Sequence, residues 1–257
     1  MNALLAEMRA KASTLLPFEV RHRLLWWQQR FTQWPPPGLV RFGSLRRTTP
    51  ISPRFSFGRG LSVDRYYIER FLAQHADDIA GDVLEIGDPA YTRRFGGPRV
   101  TGSHVLHVTE GNPQATVVAD LSAGDHLPSG AFDCIICTQT LQYIYDVQAA
   151  VRTLHRLLKP GGVLLVSVPG IGQMSRYDMD RWGEYWRFTS RSAQRLLGEA
   201  FPSGEVTVEA HGNVLAAIAF LHGLASEELR AVELDAQDPN YEVSILIRAV
   251  KAGPSSP

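Results

Sequence analysis

The sequence predicts a doubly wound α/β fold, with a mostly parallel seven-stranded sheet and an N-terminal helical extension. Three observations predict it. From about residue 62 onward, short continuous apolar runs alternate with stretches of helical period, the pattern of a sheet covered on both faces. The first run ends in acid-x-Gly, Glu85-Ile86-Gly87, a turn that lets backbone approach a ligand closely. A Lys159-Pro160-Gly161-Gly162 turn joins an amphipathic stretch to another apolar run.

The elements follow in order. Residues 1–48 differ from the rest and are rich in Leu, Trp, Arg and Gln. From Ala3 to about Trp34 they read as one or two amphipathic helices broken near Pro17. Pro35, Pro36 and Pro37 then force an extended linker, and residues 49–61 read as loop. Ser62 caps a helix whose apolar face is Ile68, Phe71, Leu72, His75 and Ile79, which Gly81 ends. Strands are expected at 82–87, 103–109, 115–119 and 132–138. Asp146 caps the next helix, and strand five occupies 163–168. Ser190 caps a further helix through Phe201. Strands at 206–210 and 241–250 flank a helical stretch from Asn213 to about Glu233. The domain spans residues 49–251, and residues 252–257 form a disordered tail.

The 257 residues are 44% hydrophobic and 20% charged, with 26 basic and 26 acidic side chains. A chain this long buries a core without staples. The even charge gives no reason to expect nucleic acid as a partner, and no apolar run reaches the ~20 residues of a membrane span. The opening MNALLAEMRAKAS carries Glu and Arg within its apolar stretch and makes a poor signal peptide. A cytoplasmic location is the expectation. Two cysteines make no disulfide framework. Cys134 and Cys137 lie three apart in a strand and face opposite sides, so they read as core residues. No metal is expected, because His, Asp and Glu do not cluster at ligand spacing.

In such sheets ligands bind beyond the carboxyl ends of the strands. Strand two runs toward Glu110, 25 positions past Glu85. A carboxylate there suits two vicinal ribose hydroxyls. Asp120, at the end of strand three, is placed to accept from an adenine amino group. These residues resemble the class I S-adenosylmethionine-dependent methyltransferases. The matching pieces are VLEIGD, VADLS, FDCIICTQTLQYI and LHRLLKPGGVLLVSVP, covering roughly residues 62–210. The wider arrangement also looks like methyltransferase domains associated with bacterial glycosyltransferases. The resemblance implies a Rossmann-like fold and S-adenosylmethionine as cofactor. It implies cofactor contacts at Glu85, Gly87, Asp88, Tyr91, Glu110, Asp120, Leu121, Thr138 and Gln139. The expected activity is methyl transfer to oxygen or nitrogen of a small molecule, with a sugar or another biosynthetic intermediate as the candidate acceptor.

The sequence departs from that family where Pro89 and Tyr91 replace two glycines of the usual turn. Pro89 removes a backbone donor, so Tyr91, Arg93 and Arg94 are candidates to hold the ligand's carboxylate. Arg59 and Arg65 flank the entry to the first helix and read as solvated in preference to the alternative, contact with an anion. Strand two connects to strand three through a loop too short for a helix. Methyl transfer needs alignment and, at most, removal of one proton, so no fixed catalytic motif is expected. Tyr143, Tyr185 and His211 are the candidate catalytic groups. The loop 181–189 is expected to form a substrate wall, with Trp186 and Arg187 on the acceptor. A scaffold that has lost turnover, or an enzyme using the cofactor for chemistry other than methyl donation, is the alternative. Leu24, Leu25, Trp26, Trp27, Phe31 and Trp34 are too apolar for an idle tail, and a protein contact, including a homo-oligomer, is expected through them.

Overall fold

The structure, a computed structural model, describes residues 38–253 together with positions 17, 19, 20, 23 and 34–36. Leu24, Leu25, Trp26, Trp27 and Phe31 lie outside the described residues, as does the tail from 254 onward. The chain divides into two units, 1–48 and 49–257. The described part of the first unit includes a helical turn at Gly43–Leu45, and Trp34 and Phe42 are exposed.

The second unit begins its regular structure with helix α1 (Val63–Gln74). Strands β1 (Gly81–Ile86), β2 (Val100–His107), β3 (Val117–Val118) and β4 (Phe132–Thr138) follow. Then come α2 (Val147–Leu157), β5 (Leu158–Pro169), α3 (Arg176–Trp182) and α4 (Ser190–Ala200). The chain continues through β6 (Glu205–His211), α5 (Val214–Leu221), α6 (Ala231–Asp235) and β7 (Ser244–Val250). The seven strands lie in the order β3-β2-β1-β4-β5-β7-β6. Only β7 runs antiparallel to its neighbours. The chain leaves β1 in one direction and returns at β4 to build the other half. The crevice between the carboxyl ends of β1 and β4 is therefore the switch point where such sheets bind ligands.

Both faces of the sheet are buried, and strand residues alternate between two cores. Leu84, Ile135, Cys137 and Leu164 pack with Val151 and Leu154 of α2 and Leu197 of α4. Val83, Cys134, Ile136 and Leu165 pack with Ile68 and Phe71 of α1 and Phe220 of α5. Cys134 and Cys137 belong to opposite cores, as their odd spacing predicts. Burial pushes the Cys137 thiol up to about 12.

The Lys-Pro-Gly-Gly motif is structural. Lys159 Nζ lies 3.0 Å from an Asp82 carboxylate oxygen and 2.7 Å from Asp133, tying β5 to the starts of β1 and β4. A Cβ at Gly162 would sit 2.9 Å from the Lys159 carbonyl. This turn lies within β5, which begins at Leu158 rather than 163.

Other boundaries differ from the sequence reading for identifiable reasons. Thr189, not Ser190, caps α4: its side chain accepts from Ser192 N, while Ser190 donates its N–H to Glu242. Ser62 precedes α1, but its hydroxyl turns to Asp64 instead of a helix N–H. The stretch 213–233 is not one helix. After Leu221 the left-handed Gly223, packed against the Ser52 carbonyl, breaks it. The segment after β5, read as loop, contains α3, whose first turn is capped by the Ser175 hydroxyl accepting from Asp178 N. Between β2 and β3 there is no helix, as the short spacing predicts.

Candidate active site

At the switch point β1 ends in a turn held from beneath. Glu85 is 3% exposed. Its two carboxylate oxygens accept from Tyr91 N at 3.1 Å and Thr92 N at 2.7 Å. Burial pushes this carboxyl up, and the hydrogen bonds from Thr92 and Tyr91 oppose the push. Both oxygens thus serve the turn itself. Gly87 adopts φ +98°, and a Cβ there would meet nothing within 4 Å. The backbone of the turn faces open space, and its shape requires glycine. Asn112 Nδ2 donates to the Gly87 carbonyl at 2.6 Å.

That open space is a cavity of about 640 Å³, within the roughly 300–1,000 Å³ usual for small-molecule sites. Gly87, His107, Asp120, Leu121, Thr138 and Gln139 line it from the strand ends, and Trp182 and Tyr185 close it from the segment after β5. Asp120 uses one oxygen to accept from Ser122 N and Oγ, 2.8 and 2.7 Å away. Gln139 takes the left-handed φ of +47° and donates its N–H to the Ser167 carbonyl. This conformation is uncommon for a side-chain-bearing residue, and such residues cluster at functional sites.

A second cavity, about 440 Å³, lies on the other side of Gln139, Tyr143 and Asp178, which line both. Residues 54–62 form one wall, Pro169 to Ser175 and Phe220 others. Tyr143 donates its hydroxyl to Asp178 Oδ2 at 3.3 Å. Burial, with Asp178 and Glu184 nearby, pushes the Tyr143 phenol well above its usual value. It is a protonated donor at neutral pH, not a base. Gln142 lines this cavity at 2% exposure, and its Oε1 has no hydrogen-bond partner among the described residues.

A third cavity, about 380 Å³, meets the first at Ile86 and Thr138 and the second at Arg65. Glu85, Asp88 and Tyr91 line it. Arg65 Nη1 donates to the Tyr91 hydroxyl at 2.7 Å. Burial pulls its guanidinium down, but Tyr91, Asp64 and Asp88 outweigh the pull and leave it raised.

The structure therefore gathers Gly87, Asp120, Leu121, Thr138, Gln139, Tyr143 and Tyr185 at one cavity. It places Glu85, Asp88 and Tyr91 beside it and Arg187 at the second. Three sequence candidates fall elsewhere. Glu110 is exposed and lines none of these cavities, because the turn after β2 points His107 and Val108 inward instead. His211 stacks on Tyr67, ring centroids 5.5 Å apart, and its Nε2 lies 3.3 Å from Glu209. Trp186 donates Nε1 to the Ile144 carbonyl at 3.0 Å and stacks on Tyr145. Of the arginines, Arg94 lines the third cavity and pairs with Glu69 at 2.8 Å, while Arg93 lines a groove beyond the turn. Arg65, which reads as solvated from the sequence, lines two of these cavities, and Asp178 is not a sequence candidate. Arg65 carries no motif, but Ser175-Arg176-Tyr177-Asp178 has the Ser-x-x-acid spacing of a helix start, which would have placed Asp178 on α3.

A family model described as a methyltransferase domain matches residues 63–204, more than half of the chain. The chain belongs to the class I S-adenosylmethionine-dependent methyltransferases. No curated protein sequence matches it. Solved structures similar to this class I methyltransferase include an S-adenosylmethionine-dependent methyltransferase from Mesorhizobium loti. That protein is 19% identical, with 74% of this chain and 98% of that one covered and a TM-score of 0.48. A putative methyltransferase from Bacillus halodurans is 14% identical, with 72% and 98% covered and a TM-score of 0.45. The N-methyltransferase NodS from Bradyrhizobium japonicum, in complex with S-adenosyl-L-homocysteine, is 17% identical, with 74% and 88% covered and a TM-score of 0.45.

The packed position of Trp186 gives a prediction for this methyltransferase. Trp186→Ala is expected to lower stability by about 1–2 kcal/mol, the loss of one hydrogen bond and one aromatic pair. Urea unfolding reads this directly. Affinity for S-adenosylhomocysteine should not change, and a loss of affinity at full stability would put Trp186 in the site.

Proposed function

We propose that the chain transfers a methyl group from S-adenosylmethionine to a small-molecule acceptor, oxygen or nitrogen of a sugar or another biosynthetic intermediate. The observation that carries this is the wall shared by two cavities. A cofactor cavity alone would serve a binding domain. Here Gln139, Tyr143 and Asp178 face the cavity at the strand ends and a second cavity of comparable size, so two ligands meet at one place.

The residues fit the cofactor. Leu121 and Ile144 offer apolar faces to an adenine, and the second oxygen of Asp120 suits its amino group. Gly87 lets the backbone lie against the ligand. The methionine end is a zwitterion, and Arg65 with Asp88, both lining the third cavity, supplies one cation and one anion for it. Arg65 thus replaces the donors lost at Pro89. Bound there, S-adenosylmethionine supplies a methyl group already made electrophilic by its sulfonium. The protein's task is to align an acceptor, exclude water with Trp182 and Tyr185, and provide hydrogen bonds through Gln139, Tyr143 and Asp178. The even charge supports a small acceptor over a nucleic acid.

Calorimetry with S-adenosylhomocysteine is expected to show one site. Arg65→Met should weaken it at least tenfold, about 1.4 kcal/mol or more, as fits a lost charged hydrogen bond. Incubation with methyl-labelled S-adenosylmethionine and a cell extract should then give a small product heavier by one methyl group. Absence of binding at millimolar ligand overturns the reading. Binding with no labelled product favours a scaffold, and a product carrying another part of the cofactor favours non-methyl chemistry.

A further inference from the structure

We propose that the second cavity takes a hydroxylated aromatic acid as methyl acceptor, with its hydroxyl at Asp178, its ring against the wall formed by Phe55 and Phe220, and its acid at Arg54. The inference rests on the function proposed above and names the acceptor class for the same site.

The hydroxyl end follows from unused hydrogen-bonding capacity. Asp178 faces both cavities. Its Oδ2 accepts from Tyr143, and its Oδ1 has no partner among the described residues. The Tyr143 proton is already committed to Asp178, so the wall presents an acceptor, and an acceptor calls for a donor on the ligand. The other two carboxylates lining this cavity are engaged: Glu184 accepts from Ser175 N at 3.0 Å and from Arg187 at 2.5 Å, and Asp64 accepts from the Ser62 hydroxyl. A hydroxyl donating to Asp178 gives up its proton to that carboxylate. The oxygen's electron pair forms the bond to the methyl carbon, and the carbon–sulfur pair stays with sulfur. At the far end the ligand meets Arg54, which has no acidic partner among the described residues and disfavours a cationic group there.

The ring follows from shape. Phe55 and Phe220 pack on each other, ring centroids 6.1 Å apart and tilted by 46°, and present one aromatic wall to the cavity. A Cβ at Gly172 would sit 2.8 Å from the Phe220 ring, so the glycine backbone packs directly on that ring and holds it in the wall. Phe55 and Ser56 are consecutive left-handed residues, at φ +47° and +62°, a conformation that costs side-chain-bearing residues energy. The strap is held in it by Glu227, which accepts from Leu61 N at 3.0 Å, and by the two-pronged Arg59–Glu228 pair. The wall bearing Phe55 is therefore fixed in place. Gln142 Oε1, buried and unpaired, leaves one more acceptor at this wall for a ligand donor.

The acid follows from the arginines. Three line the cavity. Arg187 is satisfied by Glu184 and by the Gln173 carbonyl at 2.9 Å. Arg65 holds Tyr91. Arg54 is exposed and has no acidic partner among the described residues. A guanidinium beside an aromatic wall selects a planar carboxylate.

The test titrates four probes into protein saturated with S-adenosylhomocysteine, followed by calorimetry. 4-Hydroxybenzoate is expected to bind at one site. Benzoate, lacking the hydroxyl, and 4-hydroxybenzamide, lacking the charge, should each bind at least tenfold more weakly, and tyramine should not bind. Arg54→Gln should cost 4-hydroxybenzoate at least tenfold and leave 4-hydroxybenzamide unchanged, with S-adenosylhomocysteine affinity as in the wild type. Asp178→Asn should erase the preference for 4-hydroxybenzoate over benzoate. If the saturated protein binds none of the probes, prefers tyramine, or treats 4-hydroxybenzoate and 4-hydroxybenzamide alike, this acceptor class is wrong while the cofactor reading stands. Failure of S-adenosylhomocysteine itself to bind is a failure of the function proposed above.

Discussion

Gly87→Val is expected to lower affinity for S-adenosylhomocysteine by more than about 100-fold, about 2.7 kcal/mol, in a protein that still folds. The reasoning begins with backbone. Gly87 has φ +98°, where a branched side chain is strained by about 1–3 kcal/mol. That strain is a minority of the stability of a domain this size, and no neighbour stands within 4 Å of the new Cβ to clash with it. The space it enters is the floor of the cavity at the strand ends. The valine therefore takes up room that a ligand lying on the turn must occupy. Circular dichroism and urea unfolding establish that the variant is folded, and calorimetry reads the binding. If a folded Gly87→Val binds within threefold of the wild type, the ligand does not lie against this turn, and the assignment of the cavity fails with it.

The sheet was legible because its signals are redundant. FDCIICT is apolar on both faces, and the structure buries it on both, with Cys134 and Cys137 in opposite cores. Asp146 was readable as a cap because its spacing to an apolar helical run has few other uses, and its side chain accepts from Ala149 N. Turn chemistry was harder. Thr189 and Ser190 are both capping residues, and sequence alone does not show that Glu242, 52 positions away, has claimed Ser190. The helix α3 was hidden among aromatics and glycines that read as loop, although Ser175 and Asp178 carried its signature.

The site was legible by position and not by role. Strand ends named the right region, because topology dictates where such sheets bind. Roles depend on where side chains turn in the last two or three residues of a loop. Glu110 was credited with a ribose because it is the acid after β2, yet His107 is the side chain the turn directs inward. Arg65 and Asp178 come from helices outside the motifs, α1 and α3, and meet the strand ends only in three dimensions. Their partners, Tyr91 and Tyr143, are 26 and 35 positions away, and no local pattern encodes such a pairing.

Glu85→Ala is expected to destabilise the protein by about 3 kcal/mol and to weaken S-adenosylhomocysteine binding in the fraction that remains folded. Two donors depend on this carboxylate, Tyr91 N and Thr92 N. Thr92 is buried, so water does not replace the lost partner. Each unsatisfied buried N–H costs about 1–3 kcal/mol, and relief from burying a charge offsets part of the total. Glu85→Gln should fall between, since its single carbonyl oxygen serves one N–H while its amide group faces the other. Binding should weaken in the same order, because the turn from Gly87 to Thr92 loses its anchor and the Arg65 partner Tyr91 moves with it. Urea unfolding of the three proteins gives the stabilities, and calorimetry well below each transition gives the affinities. The opposite pattern is equally readable. If Glu85→Ala keeps wild-type stability and loses only binding, the carboxylate touches the ligand itself. The Tyr91 and Thr92 hydrogen bonds would then be incidental, and the family role expected of this acid would displace the anchoring role assigned to it.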